Sequence, residues 1–511
     1  MRRTTLWMNA GCGLLAVGAG VAASELVTGL LSLRMSPAVA LGEAIIKLTP
    51  GPVAEWFIHL VGRNDKPLLI TGIFVGLAAC GALLGMLAAR NRTAAYVLLV
   101  GLGAIGMWAE GYQHGSTFLD IAPAIVAPLV AIPLLGWLLD ARPSESEVAS
   151  DSNESATAMV SRRTFLMRGA LVVGGSLVVA AGGRILSRSR AAVESARQHL
   201  KLPLGRTRVP TGVSVGVQGV SDWETPVDSF YRIDTSLSPP LIEPKDWQLR
   251  IHGMVDREIT LTYQDLLQRG LTDAWITLNC VSNPVGGPLI GNARWSGVRI
   301  ADLLAEAGVQ SGADAVLSTS KDGWNCGTPI EVLTDDRNAL LAVALDGQPL
   351  PIEHGFPVRM VVPGLYGFVS ATKWVVDLNV TRFVDFTAYW TSRGWSPQAP
   401  VKTSSRIDVP DSGSGLNVGQ VSIGGVAWAQ HRGIDAVEVQ VDGGDWVSAT
   451  LGVEPTIDSW VQWKYDWNAP AGSHTIAVRA TDDTGAVQSG QDVGVVPNGS
   501  EGYHTISVHV S

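Results

Sequence analysis

Charge is scarce in this 511-residue chain: 16% of residues are Asp, Glu, Lys or Arg, while 46% are hydrophobic. An ordinary soluble protein carries about 25% charged residues, so a deficit of this size points to a membrane portion. Cysteine is scarcer still, with four in the whole chain, which excludes a disulfide-built scaffold. Cys-x-x-Cys-His is absent, and His59 and His114 are not paired within apolar runs, so a haem held by those runs has no support. A basic excess is missing where a nucleic-acid binder would need one. Residues 209–511 carry 18 Lys/Arg against 34 Asp/Glu, a net of −16, and no nucleic acid is expected as partner. No sequence repeat recurs at a fixed period. The length suits two to four domains.

What is present begins with four charge-free runs in the first 140 residues: Thr4 to Ser24, Leu68 to Ala89, Thr93 to Ala109 and Ile121 to Leu139. Each is close to the roughly 20 residues that cross a bilayer as helix. The fourth contains Pro123, Pro128 and Pro133, which a bundle tolerates because neighbouring helices re-satisfy freed carbonyls. Lys and Arg mark cytoplasmic flanks. Arg2 and Arg3, then Arg90 and Arg92, then Arg142, Arg162 and Arg163 agree on one orientation. Glu110 and Asp120 flank a short outer loop and read as solvated ends rather than a proton path. Residues 141–160 are rich in Ser, Glu, Asp, Asn and Ala and read as a cytoplasmic linker. Ser161-Arg162-Arg163-Thr164-Phe165-Leu166, before an uncharged run to Gly183, resembles a twin-arginine export signal set inside the chain. The plainer alternative is the basic flank of an ordinary fifth span. Both place residues 185–511 on the extracytoplasmic side of the cell membrane, on a multi-pass anchor whose first partner is membrane lipid.

Residues 185–221 are basic at first and read as a tether. Beyond them Trp247, Leu249 and Ile251 alternate with polar residues, as in a half-buried strand. Thr262 and Asp265 form a capping-box-like pair before a short helix ending near Gly270. Ile276 to Leu278 is a strand running into Cys280, and Arg299 to Ala307 is an amphipathic helix closed by Gly308. Ala315 to Ser318 and Val358 to Val362 are further strands, giving an α+β domain. After Pro400 the texture becomes alternating strands separated by turns such as Asp442-Gly443-Gly444-Asp445, with Trp428, Trp446, Trp460, Trp463 and Trp467 supplying bulk. That pattern predicts a β-sandwich.

The chemistry sits in four blocks. Asp228-Ser229-Phe230-Tyr231-Arg232-Ile233-Asp234 opens the α+β domain. Thr277-Leu278-Asn279-Cys280-Val281-Ser282-Asn283 puts a cysteine at a strand end. His354-Gly355-Phe356-Pro357-Val358-Arg359 runs on through Pro363-Gly364, and Lys373-Trp374 follows a small-residue loop. From the residues alone, Cys280 and Cys326 also read as a disulfide of an exported domain.

In the order and spacing of these blocks the chain resembles the sulfite oxidase superfamily of molybdopterin enzymes over about residues 222–511, in a membrane-anchored bacterial form. The resemblance implies a multi-domain protein with an α-helical membrane anchor of about five spans, an α+β molybdopterin domain and a C-terminal immunoglobulin-like β-sandwich. The implied divisions are 1–140 for four spans, 141–160 linker, 161–184 signal and fifth span, 185–221 tether, 222–400 catalytic domain and 401–511 a dimerisation-type sandwich, hence a homodimer. It implies Cys280 as the thiolate ligand of molybdenum, a soft donor suited to that metal. Arg232 and Arg294 are the further catalytic candidates. Asp228, Tyr231, Arg232, Asn283, Ser320, Asp322, His354, Arg359, Ser370, Ala371, Thr372 and Lys373 are the cofactor contacts, the cations suiting an anionic pterin phosphate in plain or nucleotide form. No haem is expected, so electrons would pass to a separate cytochrome or quinone-linked partner.

The chain departs from sulfite-oxidising members at two places. Where they carry an Arg shortly after the ligand cysteine, it has Asn283, Pro284 and Val285. Where they carry an active-site Tyr, it has Val343. Arg294 and Lys321 are the candidate replacements. The expected activity is therefore oxygen-atom transfer on a small sulfur-containing molecule. Reduction of an S-oxide, as in oxidised methionine, is a second enzyme reading, and a surface-displayed binding module without catalysis is the reading of another class.

Overall fold

The computed structural model describes residues 3–31, 33, 35–50, 53, 57, 60–61, 65–113, 116–140, 167–176, 188–205 and 208–511. The linker, the paired Arg162 and Arg163, His59, His114 and much of the expected fifth span lie outside these residues. The chain forms two units. One holds Met1–Glu194 with Thr235–Leu241; the other holds Ser195–Asp234 with Ile242–Ser511.

The first unit is helical: α1 (Arg3–Leu30), α2 (Pro37–Leu48), α3 (Asp65–Ala88), α4 (Arg92–Gly111) and α5 (Ala122–Asp140). Four of these are long and apolar enough to cross a membrane, all but α2. Pro128 and Pro133 lie inside α5 without ending it. Small residues set the closest approach. A Cβ on Gly13 would stand 1.9 Å from the Gly81 carbonyl oxygen, and one on Gly85 would stand 2.1 Å from that of Asn9, so α1 and α3 touch backbone to backbone. Segment 235–241 packs here: Lys66 Nζ donates to the Ser236 carbonyl at 2.8 Å, and Leu237 fills the space beside Gly42. The expectation that Glu110 is a solvated end is corrected. It is 2% exposed, because α4 turns its Gly103, Gly106, Glu110 face onto neighbouring helices.

The second unit holds four sheets, the first two accompanied by short helices. β1 (Gln248–Gly253) lies beside β2 (Ile259–Thr262) and parallel to β10 (Val375–Thr381), which continues to β5 (Ala315–Ser320) and β6 (Asn325–Pro329). The other sheet orders β3 (Thr272–Asn279), β4 (Ile290–Arg299), β7 (Leu340–Leu345) and β8 (Gln348–Pro349), with β9 (Arg359–Val361) on β7. The Thr262–Asp265 capping box forms as read. Gly308 closes the helix Ile300–Ala307 in a left-handed conformation, φ 71°.

From Ser404 onward, a four-stranded and a five-stranded sheet share one core of Ile407, Ile423, Val437, Val439, Trp463, Ile476 and Val478 among others. The expected tether is more ordered than its composition implied. Residues 188–199 are helix, Val213 is buried in the main core, and Ser221 donates its N–H to Asp408 at 2.9 Å.

Candidate functional site

The site forms where β3 ends, β9 begins and the chain enters β10. β3 delivers Cys280 into a turn. The Cys280 N–H donates to the Leu289 carbonyl at 3.0 Å, and its own carbonyl accepts from Asn283 N–H at 3.0 Å. The Asn283 side chain accepts from Leu289 N–H at 2.8 Å, so it closes this turn rather than reaching into the site. Cys280 is buried. Enclosure pushes its thiol upward, while hydrogen bonds with Ser282 and the charge of Lys373 pull it back.

Facing it are the arm 230–234 and the segment 352–374. Phe230 stacks on Tyr231 with centroids 5.4 Å apart and meets the ring edges of Trp295 (5.6 Å) and His354 (5.8 Å). Arg359 is buried and donates to the carbonyls of His354 (3.1 Å) and Met360 (3.3 Å). Its guanidinium lies 5.0 Å from the Trp295 ring centre. Lys373 Nζ donates to Asp234 at 2.8 Å and to the Glu353 carbonyl at 3.1 Å, and Arg232 meets the same Asp234 at 3.0 Å. Trp374 holds this corner. Its backbone is left-handed, φ 50°, its indole N–H donates to the Ile352 carbonyl at 2.9 Å, and its carbonyl accepts from Lys321 N–H at 2.9 Å.

Burial and like charge shape the electrostatics. Enclosure lowers Arg359 to about 10 and Lys373 to about 8, Asp234 opposing the fall. His354 falls to about 3, first through burial and then through Arg359, Lys373 and Arg232, so it stays neutral at working pH. Burial and the nearby Cys280 push the Tyr231 phenol upward.

Tyr231, Arg232, His354, Arg359 and Lys373 thus gather around Cys280. The side chains of other expected residues are engaged elsewhere. Arg294 is corrected: it is next to Trp295 on β4, so it points to the opposite face. There it faces Asp273 at 3.5 Å, and its backbone N–H donates to Asp346 at 2.9 Å. Thr372 turns its hydroxyl to Ser318 (2.7 Å) and the Cys326 sulfur (3.3 Å). Ser370 bonds the Tyr366 carbonyl at 3.0 Å. Ala371, partly exposed, donates its N–H to Gly367. Asp228 is exposed. Ser320 and Asp322 close their own turn, the Asp322 carboxylate accepting from Trp324 N–H at 3.1 Å. Val343 is fully buried in the core. Cys280 and Cys326 are both free, against the disulfide alternative.

Sequence reasoning gave no role to Asp234 or Trp295. The strand parity that turns Arg294 away is the signal that would have found Trp295.

The donor set fits an anionic, hydrogen-bonding group with a soft metal. Three arginines in this unit are buried: Arg294, Arg359 and Arg406. Arg294 has Asp273 and Arg406 has Asp408 at 2.6 Å. Arg359 alone meets no carboxylate among the described residues. The Asn279 side-chain oxygen is buried without a hydrogen-bond partner, but in the register of β3 on β4 Asn279 shares the face of Thr277 and Arg294, not that of Trp295. Gly367 keeps the wall open: a Cβ there would lie 3.9 Å from both the Asn279 carbonyl and the Tyr231 hydroxyl.

Comparison with known proteins agrees. The family described as the oxidoreductase molybdopterin binding domain matches residues 236–390. Human mitochondrial sulfite oxidase is 29% identical over 332 residues, covering 54% of this chain and 60% of that protein. The chain therefore spans about 60% of that relative's length. The uncharacterized oxidoreductase YuiH of Bacillus subtilis is 31% identical over 167 residues, covering 33% of this chain and 81% of that protein. The crystal structure of the sulfane dehydrogenase SoxCD from Paracoccus pantotrophus superposes with a TM-score of 0.49 at 24% identity, covering 60% of this chain and 86% of that one.

Proposed function

Because the chain belongs to the sulfite oxidase family of molybdopterin-binding oxidoreductases, we propose that it is a membrane-anchored member. It would work on a small sulfur-containing substrate on the extracytoplasmic side and exchange electrons with a separate partner. The bound molybdenum-molybdopterin supplies two-electron oxygen-atom transfer, the hard chemistry of the site. Cys280 supplies a thiolate to the metal, whose charge offsets the upward push of burial. Arg359 and Lys373 hold the anionic part of the cofactor. His354, neutral, offers one ring nitrogen as donor and one as acceptor to its amide-like edge. Tyr231 keeps its proton and orients by hydrogen bonding. Arg232, with 40% of its side chain exposed, stands nearest to solvent and receives an anionic substrate. Trp295 and Phe230 exclude water behind the site.

The observation that carries this proposal is the buried, carboxylate-free Arg359 beside a buried Cys280. Elemental analysis of wild type and Cys280→Ser, expressed where molybdopterin is made, tests it. Stoichiometric molybdenum in the wild type, with metal retained but redox-silent in the variant, is expected. Well-folded wild type without molybdenum or pterin overturns it.

Reduction of an S-oxide is favoured as second reading by one observation. Arg294, the candidate replacement for the missing active-site arginine, faces away, so the site has fewer cations for a sulfite dianion. Turnover with sulfite and with methionine sulfoxide separates the two.

A further inference from the structure

The helical unit contains a charge-bearing side chain that an anchor has no need of. Glu110 is 2% exposed, and both carboxylate oxygens are buried without a hydrogen-bond partner. It lies one turn beyond Gly106, whose missing side chain lets α4 lie against Ala124 of α5 and Pro37 of α2. The Ala124 N–H, in the first turn of α5, is close enough to act on the carboxyl as a backbone donor, although neither oxygen meets full hydrogen-bond geometry. A buried carboxylate left without partners is too costly to keep ionised, and a neutral one still leaves polar atoms unsatisfied. Helical bundles in membranes retain such residues where ions or protons pass.

Other polar groups approach from the elements packed around it. The connecting loop contributes Asp120, whose charge acts on Glu110. α2 contributes Glu43, 4% exposed, and Lys47, which donates to Gln113 Oε1. Gln113 in turn donates to the carbonyls of Ala40 and Ala109, both at 3.1 Å. α3 offers Asp65 and Lys66 in its first turn, Lys66 being held by Ser236. The charge of α5, Asp140, is bonded to Arg92 at the opposite end of α4.

We propose that Glu110 is a proton-binding site of the helical unit, a neutral carboxyl that takes up and releases a proton to water, with Lys47 and Gln113 as the polar groups leading to it. The four long helices would then do more than hold the enzyme at a bilayer. The inference rests on reading those helices as membrane spans and on nothing in the cofactor site.

Infrared difference spectra of the full chain in lipid nanodiscs test it. Wild type minus Glu110→Gln should show a protonated-carboxyl stretch that is lost in the variant and moves to lower frequency on transfer to D2O. A carboxylate signal in place of that stretch across the neutral range overturns the proposal. So does a stretch unmoved by D2O, which marks a sealed structural carboxyl. If the amide variant fails to assemble, Glu110→Asp keeps a carboxyl and displaces the band, which carries the assignment. Alkaline extraction of the expressing membranes tests the spans separately: release of the chain removes the membrane reading, whatever the carboxyl does.

Discussion

Replacing Arg359 by Met separates a cation kept for a ligand from one kept for the fold. Arg359 is 6% exposed and its guanidinium is bonded to two backbone carbonyls. Burial lowers it from 12.5 to about 10. At about 1.4 kcal/mol per pH unit, enclosing the charge costs the cofactor-free chain about 3 kcal/mol. Its two hydrogen bonds and its contact with Trp295 return about 2–4 kcal/mol. Met fills much of the same space, so the cofactor-free variant should unfold within about 1 kcal/mol of wild type. With the anionic cofactor bound, the balance changes. A forked, charge-assisted contact in an enclosed site contributes at least about 3 kcal/mol, or about 100-fold in retention. Thermal midpoints of chain from a host unable to make the pterin give the first quantity. Pterin retained after dilution of chain from a competent host gives the second. A fall in cofactor-free stability as large as the loss in retention would refute the reasoning, because Arg359 would then be a structural residue.

Four other substitutions follow from the structure. His354 titrates at about 3 in the folded chain, burial being the first cause, against 6.5 ordinarily. The unfolded chain therefore binds the proton first, and stability is lost as pH falls from about 6.5 toward 3. His354→Gln should unfold with a midpoint that declines less steeply over that window and runs parallel to wild type above it. Thr372→Val loses the bonds to Ser318 and Cys326. It should lower the thermal midpoint by the equivalent of about 1–3 kcal/mol while pterin retention stays unchanged; reduced retention at unchanged stability would restore Thr372 as a cofactor contact. Gly85→Val places a side chain against the backbone of Asn9 and Gly13, which cannot give way, so the detergent-solubilised chain should lose its single elution peak. Gly76→Val, where nothing stands within 4 Å, should keep it.

Much of this was legible in residues alone. Local rules govern the capping box at Thr262, the left-handed stop at Gly308 and the alternation in β1, and these formed as read. The four apolar runs became helices because uninterrupted apolar sequence leaves the backbone little else, even with Pro128 and Pro133. The blocks around Cys280, His354, Arg359 and Lys373 converge because each ends or begins a strand at one edge of the fold. Side-chain direction was not legible in the same way. Arg294 and Trp295 are neighbours in sequence, and only the register of β4 decides which of them faces the site. Thr372 sits next to Lys373, yet its hydroxyl belongs to the core behind the loop. The tether's basic composition suggested a loose strand, whereas Val213 and Ser221 are held by contacts far along the chain.

Pairing is the property that sequence conceals most completely, and both proposals depend on it. An acidic domain of net −16 has carboxylates to spare for its arginines. Arg294 and Arg406 received them, from Asp273 at 21 positions' remove and Asp408 two positions away. Arg359 received carbonyls and a ring instead, in a unit where a countercharge was readily available. In the helical unit Glu110 is enclosed in the same incomplete way. Folding alone does not favour a buried charge without a partner or a buried acceptor without a donor. Groups left so are best explained by something that arrives after folding. At Arg359 the chemistry asks for an anion, and at Glu110 for a proton.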